Sequence, residues 1–336
     1  MREHRPFKLQ WHITDHCNLR CKHCYQENSV NNEANLNDCK ILLDQFDELI
    51  GKIEDSEQVE LKAHISITGG EPMLNSNFLN ILKAIKDKKK YRYSVLSNGS
   101  FIDEESLSFF KTYPPLFIQL SMEGKRETHD DIRGEGDFDR TCQVVNRLVK
   151  AGIKTILSFT AHKGNYKEFE SVANIARELK IYKVWTDRLI PYGDGKQLTS
   201  MSIDETKDYI RLIKKVKNDK KYGRSRTLVS ADRALQFLSG GHHYSCSAGR
   251  HLLTVMPDGT VYPCRRMPVN IGNIKEKTLT QIYENNAFIG KLQKTTVIKG
   301  CEKCKFLEVC RGGLKCLSFA IHNNAFIKDV GCWFNG

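Results

Sequence analysis

With 336 residues, 40% of them apolar and 27% charged, the chain has the material for two ordinary globular domains. No apolar run approaches the ~18 residues of a membrane span, and Met1-Arg2-Glu3-His4-Arg5-Pro6 opens on charge with no apolar stretch behind it, which excludes a spanning helix and a secretory signal. The net charge of +12 is concentrated in runs such as Lys86-Asp87-Lys88-Lys89-Lys90 and residues 214–226, which read as helix ends and solvated faces without the interleaved aromatics of a nucleic-acid platform. Twelve cysteines are placed too unevenly for a disulfide framework: three fall in residues 17–24 and seven after residue 245. In a chain with no export signal they point to the reducing cytoplasm and to metal binding.

From residue 8 to about 190, strand-like runs alternate with amphipathic stretches. The strands are expected at residues 8–13, 64–68, 93–97, 117–121, 154–160 and 183–189. Between them, Leu42, Phe46, Leu49 and Ile53 recur at helical spacing, and so do Phe169, Val172, Ala173, Ala176 and Leu179. Six such units argue for parallel strands joined by crossover helices, with the ligand site in the loops after the strands. Those loops hold the unusual residues: Cys17, Cys21 and Cys24 after the first strand, Gly69-Gly70-Glu71-Pro72 after the second, Ser97-Asn98-Gly99 after the third, and Ser121 ending the fourth. Residues 200–240 read as a long helix, a Lys-rich break and a second short helix. The character changes after Gly240-Gly241. Residues 252–256 and 260–262, separated by Pro257-Asp258-Gly259, read as a hairpin, and cysteine-rich loops follow.

The spacing Cys17-x3-Cys21-x2-Cys24 places three thiolates on one short loop. Three thiolates can hold three irons of a cubane cluster and leave the fourth open to a ligand, whereas structural zinc usually takes four ligands in two pairs. With Gly69-Gly70-Glu71 after the second strand and Ser97-Asn98-Gly99 after the third, the sequence resembles the radical SAM superfamily. That resemblance implies an α/β fold, a partial (β/α)6 barrel, and an open iron that chelates S-adenosylmethionine. It further implies reductive cleavage to methionine and a 5′-deoxyadenosyl radical. By position, Gly69, Gly70 and Glu71 would serve the methionine amino group, Asn98 and Ser121 would make polar contacts to SAM, and Tyr25 would lie near the adenine, with the His23 backbone bonding it. Arg133 and Arg188 are candidates for the carboxylate, or else salt-bridge arginines.

In the last third, twelve residues separate Cys246 from Gly259 and four separate Gly259 from Cys264; Cys301-x2-Cys304-x5-Cys310, Cys316 and Cys332 follow. This resembles the SPASM extension, which houses two auxiliary iron–sulfur clusters, with one departure: five residues lie between Cys310 and Cys316, two more than the family spacing. The resemblance assigns Cys301, Cys304, Cys310 and Cys332 to an outer cluster. It assigns Cys246, Cys264 and Cys316 to an inner one, whose fourth ligand is His242, His243, water or none. It gives a barrel over residues 1–199, a helical bridge over 200–240 and a cysteine-rich SPASM domain over 241–336, with three [4Fe–4S] clusters in all. Cys142 falls on an apolar helical face with Val145 and Leu148, and reads as core first and as a hydrogen-atom donor second; Cys39 reads as structural.

The expected activity is hydrogen-atom abstraction from a ribosomally made precursor peptide, leading to a thioether or carbon-linked crosslink or another side-chain change. The expected partners are an electron donor such as flavodoxin or ferredoxin and, with only about seven residues before the first strand, a separate leader-binding protein. One rival is a sulfatase-maturing oxidation, against which Arg265 stands where that family has an aspartate base. The others are a dehydrogenase or epimerase of a sugar or aminoglycoside and a non-catalytic iron–sulfur electron carrier.

Overall fold

The computed structural model describes residues 4–26, 32–219, 225–230, 234–240, 242–294 and 297–334. Apolar and polar residues alternate along the early strands, so each strand has two different faces. In β1 (His4–His12) and just beyond it, Phe7, Leu9, Trp11 and Ile13 are buried toward the helices, with the Phe7 ring 6.1 Å from that of Phe46. Gln10, His12 and Thr14 are equally buried but face the other way, and Gln10 accepts a hydrogen bond from Thr254 at 3.3 Å. Parallel strands covered on both sides usually read as continuous apolar runs. Here one face packs on helices and the other lines a polar interior, which is the alternation visible in the sequence.

The crossovers follow as expected. α1 (Leu36–Glu57) starts at Asn35, whose side chain caps the first turn while Asp38 returns a bond to the Asn35 amide, and it buries Leu42, Phe46, Leu49 and Ile53. β2 (Glu60–Thr68), α2 (Phe78–Asp87), β3 (Arg92–Leu96), α3 (Glu104–Thr112) and β4 (Ile118–Ser121) continue the alternation. α4 (Arg126–Arg133), α5 (Asp137–Lys150), β5 (Thr155–Ala161), α6 (Phe169–Glu178), β6 (Lys183–Arg188) and α7 (Ile203–Lys217) complete it. β1 to β6 pair in parallel in sequence order.

Four strands extend this sheet beyond the six of the barrel. β7 (Leu228–Val229) pairs in parallel with β6 in the stretch read as a short helix, where the described residues also form a 3-10 turn at Gln236–Ser239. The Lys-rich break falls largely on residues 220–224, and the Gly240-Gly241 boundary partly on Gly241, outside the described residues. On the opposite edge, β8 (Leu252–Val255) and β9 (Thr260–Tyr262) form the expected hairpin. β8 also pairs in parallel with β1, so one ten-stranded sheet runs β10-β9-β8-β1-β2-β3-β4-β5-β6-β7, with β10 being Gly272–Asn273. Strands from both sides of residue 241, where the sequence alone places a boundary, therefore belong to one sheet. α8 (Leu279–Asn285), α9 (Ala287–Lys294), α10 (Leu307–Cys310) and α11 (Lys315–His322) carry the cysteine-rich end. Among the described residues no helix is long and apolar enough to cross a membrane.

Candidate functional site

The polar faces of the strands converge at their C-terminal ends on a cavity of ≈ 180 Å³. Cys17, Cys21 and Cys24 line it together with Gly69, Gly70, Asn98, Ser121 and Arg133. The loop bearing the thiols is pinned to its neighbours through its backbone. Gly70 N donates to Thr14 O at 2.8 Å, Glu71 N to His16 O at 2.6 Å, and Lys22 N to Ile132 O at 2.9 Å. A Cβ on Gly69 would sit on the Thr14 carbonyl oxygen, and one on Gly70 on that of His16. These glycines let two loops touch, and both also line the cavity.

Glu71 is also turned away from that role. It is fully buried and absent from the cavity lining; Oε1 accepts from the Ser97 hydroxyl at 2.8 Å and from Met73 N at 3.2 Å, and Oε2 from Asn98 N at 2.7 Å. The carboxylate ties the loop after β2 to the loop after β3. Asn98, so held, lays its amide 2.8 Å from Asn18 Oδ1 and 3.9 Å from Cys17 Sγ. Ser121 sits 3.4 Å from Ser158 across β4 and β5.

Four expected residues have partners of their own. Arg188 makes a bidentate pair with Asp329, at 2.7 and 2.6 Å, so its guanidinium ties β6 to the C-terminal segment, which corrects its reading as a carboxylate receptor. Arg133 binds Asp137 at 2.7 Å yet lines the cavity beside Cys21. His23 is partly buried with Nε2 3.3 Å from Glu123 and no hydrogen-bond partner for Nδ1, and burial holds its pKa below the usual range. Tyr25 is packed beneath the Arg265 guanidinium, 5.7 Å from the ring centroid.

The thiols fit an iron–sulfur group by their chemistry and by what surrounds them. Burial pushes Cys21 up to about 11 against the pull of Arg133, and it raises Cys24 as well. Such thiols become thiolates only when a metal takes the proton's place. The C-terminal cysteines divide into the two expected sets. Cys301, Cys304, Cys310 and Cys332 line one small cavity with Phe237, Phe306 and Phe334. Cys246, Cys264 and Cys316 are buried within one another's electrostatic reach. Lys315 is buried with no hydrogen-bond partner for Nζ, and it senses Cys246, Cys310 and Cys301. An unpartnered buried ammonium beside two thiol sets fits anionic groups held there. Among the described residues no three His, Cys, Asp or Glu side chains close on a single-ion site.

His243 packs its ring at a tilt against Phe237 at 5.1 Å and Phe306 at 6.4 Å, on the side of the outer set, and His242 is exposed. This places His243 away from the inner thiols it was considered for. Cys142 is half-buried against the core of α5, with burial raising its pKa. Cys39 is buried in α1.

Sequence reasoning missed three things. Ser158, Thr160, Trp185 and Asp187 also line the cavity, as the strand-end residues of β5 and β6 must once their inward register is known. The turn Gly193-Asp194-Gly195 closes on the cluster loop: Gly195 N donates to Cys24 O at 2.9 Å, and Gly193, at φ +57°, sits where a Cβ would be 2.6 Å from Gln26 O. Finally, Cys264-Arg265-Arg266-Met267 is a tight turn, Met267 N to Cys264 O at 2.9 Å, that carries two arginines into the barrel mouth.

Comparison with known proteins agrees with this geometry. Residues 11–176 match the family model of the radical SAM superfamily, and residues 246–305 match that of SPASM, an iron–sulfur cluster-binding domain. The Fe-coproporphyrin III synthase of Methanosarcina barkeri is 25% identical, covering 96% of this chain and 86% of that protein. The subtilosin biosynthesis protein AlbA of Bacillus subtilis is 26% identical, covering 98% and 71%. In fold, the chain resembles SuiB of Streptococcus suis bound to S-adenosylmethionine, with a TM-score of 0.77 at 16% identity over 98% of this chain and 78% of that one. SuiB has also been solved with its precursor peptide SuiA.

Proposed function

The chain belongs to the radical SAM superfamily, an enzyme with a SPASM domain following its barrel, and from that premise we propose that it oxidises a peptide held between two iron–sulfur sites. One observation carries this reading: the loop of Cys17, Cys21 and Cys24 and the turn that follows Cys264 open onto the same cavity. When bound, the clusters supply one electron for SAM cleavage at the first site and an acceptor for one electron at the second.

The chain's own residues do the rest. Asn98, positioned by Glu71, fixes the edge of the cluster loop, and Gly193-Asp194-Gly195 covers its far side. Tyr25 and Arg265 separate the loop from the inner thiols. A substrate carbon that has lost a hydrogen atom to the 5′-deoxyadenosyl radical would lose one further electron and one proton while closing on a thiol or carbon. The net change is the loss of two hydrogen atoms. That balance is an oxidation, which fits a crosslink and does not fit a redox-neutral epimerisation. The names of AlbA and of the SuiB–SuiA complex support a peptide as substrate.

A second reading, an iron porphyrin as substrate, is supported by the match to Fe-coproporphyrin III synthase and by the four arginines around the cavity. The test is anaerobic incubation of the reduced, cluster-loaded protein with SAM and the peptide encoded beside it, following 5′-deoxyadenosine and peptide mass. A product lighter by two hydrogens supports the peptide reading. Deoxyadenosine formed with iron coproporphyrin III and not with peptide overturns it.

A further inference from the structure

Four arginines line the cavity, and among the described residues three of them have carboxylate partners. Arg133 binds Asp137, Arg188 binds Asp329, and Arg266 binds Asp187 at 2.7 Å. Among those same residues Arg265 has none. Its neighbours are the Tyr25 ring and His12, and neither is a counterion. His12 is 1% exposed and burial, with Arg265 adding to it, lowers its pKa to about 3, so it stays neutral. The turn is also braced on both sides of the mouth. Arg266 reaches β6 through Asp187, and Arg265 lies over Tyr25 of the loop after β1. The unpaired guanidinium is therefore held in place, half-buried, where a ligand in the cavity meets the C-terminal domain. A fixed guanidinium fork matches a carboxylate through two parallel N–H donors.

We propose that Arg265 is the receptor for a carboxylate of the substrate: an Asp or Glu side chain or free C-terminus of a peptide, or a propionate of a porphyrin. The proposal rests on the reading of this cavity as the substrate site, and it makes carboxylate position the feature that fixes which C–H faces the radical. The one other source of the same chemistry is the methionine carboxylate of SAM.

The test uses the cluster-loaded protein and its Arg265→Gln and Arg265→Lys variants, matched for iron content. The probes are immobilised synthetic peptides in pairs that differ only by Glu or Gln, or by a free or amidated C-terminus, together with iron coproporphyrin III beside its tetramethyl ester, and SAM itself. The wild type is expected to favour the carboxylate member of a pair by about 10- to 100-fold. Arg265→Gln abolishes that preference and Arg265→Lys retains part of it, with SAM affinity changed less than about twofold. The lysine variant keeps the measurement informative if the glutamine variant does not load iron. A preference confined to the porphyrin pair and lost in Arg265→Gln upholds the receptor while overturning the peptide reading. The proposal is overturned by a preference that survives Arg265→Gln, by no preference in any wild-type pair, or by loss of SAM affinity alone, which would assign the anion to methionine.

Discussion

Glu71 accepts from three groups on two loops through its two oxygens, and nothing in a one-dimensional motif distinguishes that from a carboxylate facing a ligand. The motif was legible; the direction of the side chain was not, because it depends on Ser97 and Asn98, 26 and 27 residues further along the chain. Glu71→Ala removes the anchor of Asn98 and is expected to weaken SAM binding about 10- to 100-fold without loss of iron, as measured by equilibrium dialysis. Binding as tight as wild type would contradict the positioning role. His12 gives a pH prediction. Its folded pKa is about 3, lowered by burial first and by Arg265 second, against the ordinary histidine value of 6.5. Between those values the unfolded chain binds a proton that the folded chain refuses, so stability is lost as pH falls below about 6.5, by about 1.4 kcal/mol per pH unit. His12→Asn should therefore lose less stability than wild type between pH 7 and pH 5 in urea unfolding. An equal loss in both proteins would rule His12 out as the source.

At the scale of elements, what the chain writes locally was readable and what it pairs at a distance was not. The two-residue alternation of β1 to β6 and the helical spacing of α1 and α6 follow from side-chain period alone. β7 has two residues, too few to show a period, and β8 reads as half of a hairpin although its other edge joins β1 some 240 residues away. The same distance hides the Arg188–Asp329 pair, separated by 141 residues. Asp329→Ala would leave a buried guanidinium unpaired and should cost about 3–5 kcal/mol in urea unfolding. Arg188→Met/Asp329→Leu removes the unpaired guanidinium but leaves the Leu314 and Gly331 amides without their acceptor, so it should recover only part of the loss, and a double variant no more stable than Asp329→Ala would show that the guanidinium is not the cause. Gly193→Ala adds a left-handed residue whose Cβ meets Gln26 O and Cys24 O. It should speed removal of the loop's iron by a chelator, and a rate equal to wild type would exclude the turn as a cover for that loop.

Across the whole molecule, the sheet carries the C-terminal domain on the edge of β1, and the turn after Cys264 brings Arg265 and Arg266 into the barrel mouth. The two C-terminal sets were implied by the SPASM resemblance rather than by spacing, since their members lie up to 70 residues apart, and the same residues lie near one another in the structure. What the sequence could not supply was that the turn after Cys264 enters the cavity of the first cysteine loop, a placement fixed by β8 pairing with β1 and by Arg266 pairing with Asp187. The central claim is that three separate thiol sets hold three clusters and that only the set after β1 cleaves SAM. Iron analysis after anaerobic reconstitution, made together with a 5′-deoxyadenosine assay on wild type and on Cys17→Ala/Cys21→Ala/Cys24→Ala, tests it most directly. The expected result is about twelve irons in the wild type, and about eight in the variant with no deoxyadenosine formed. A fully reconstituted wild type with about four irons or fewer, or a variant that still cleaves SAM, would contradict it.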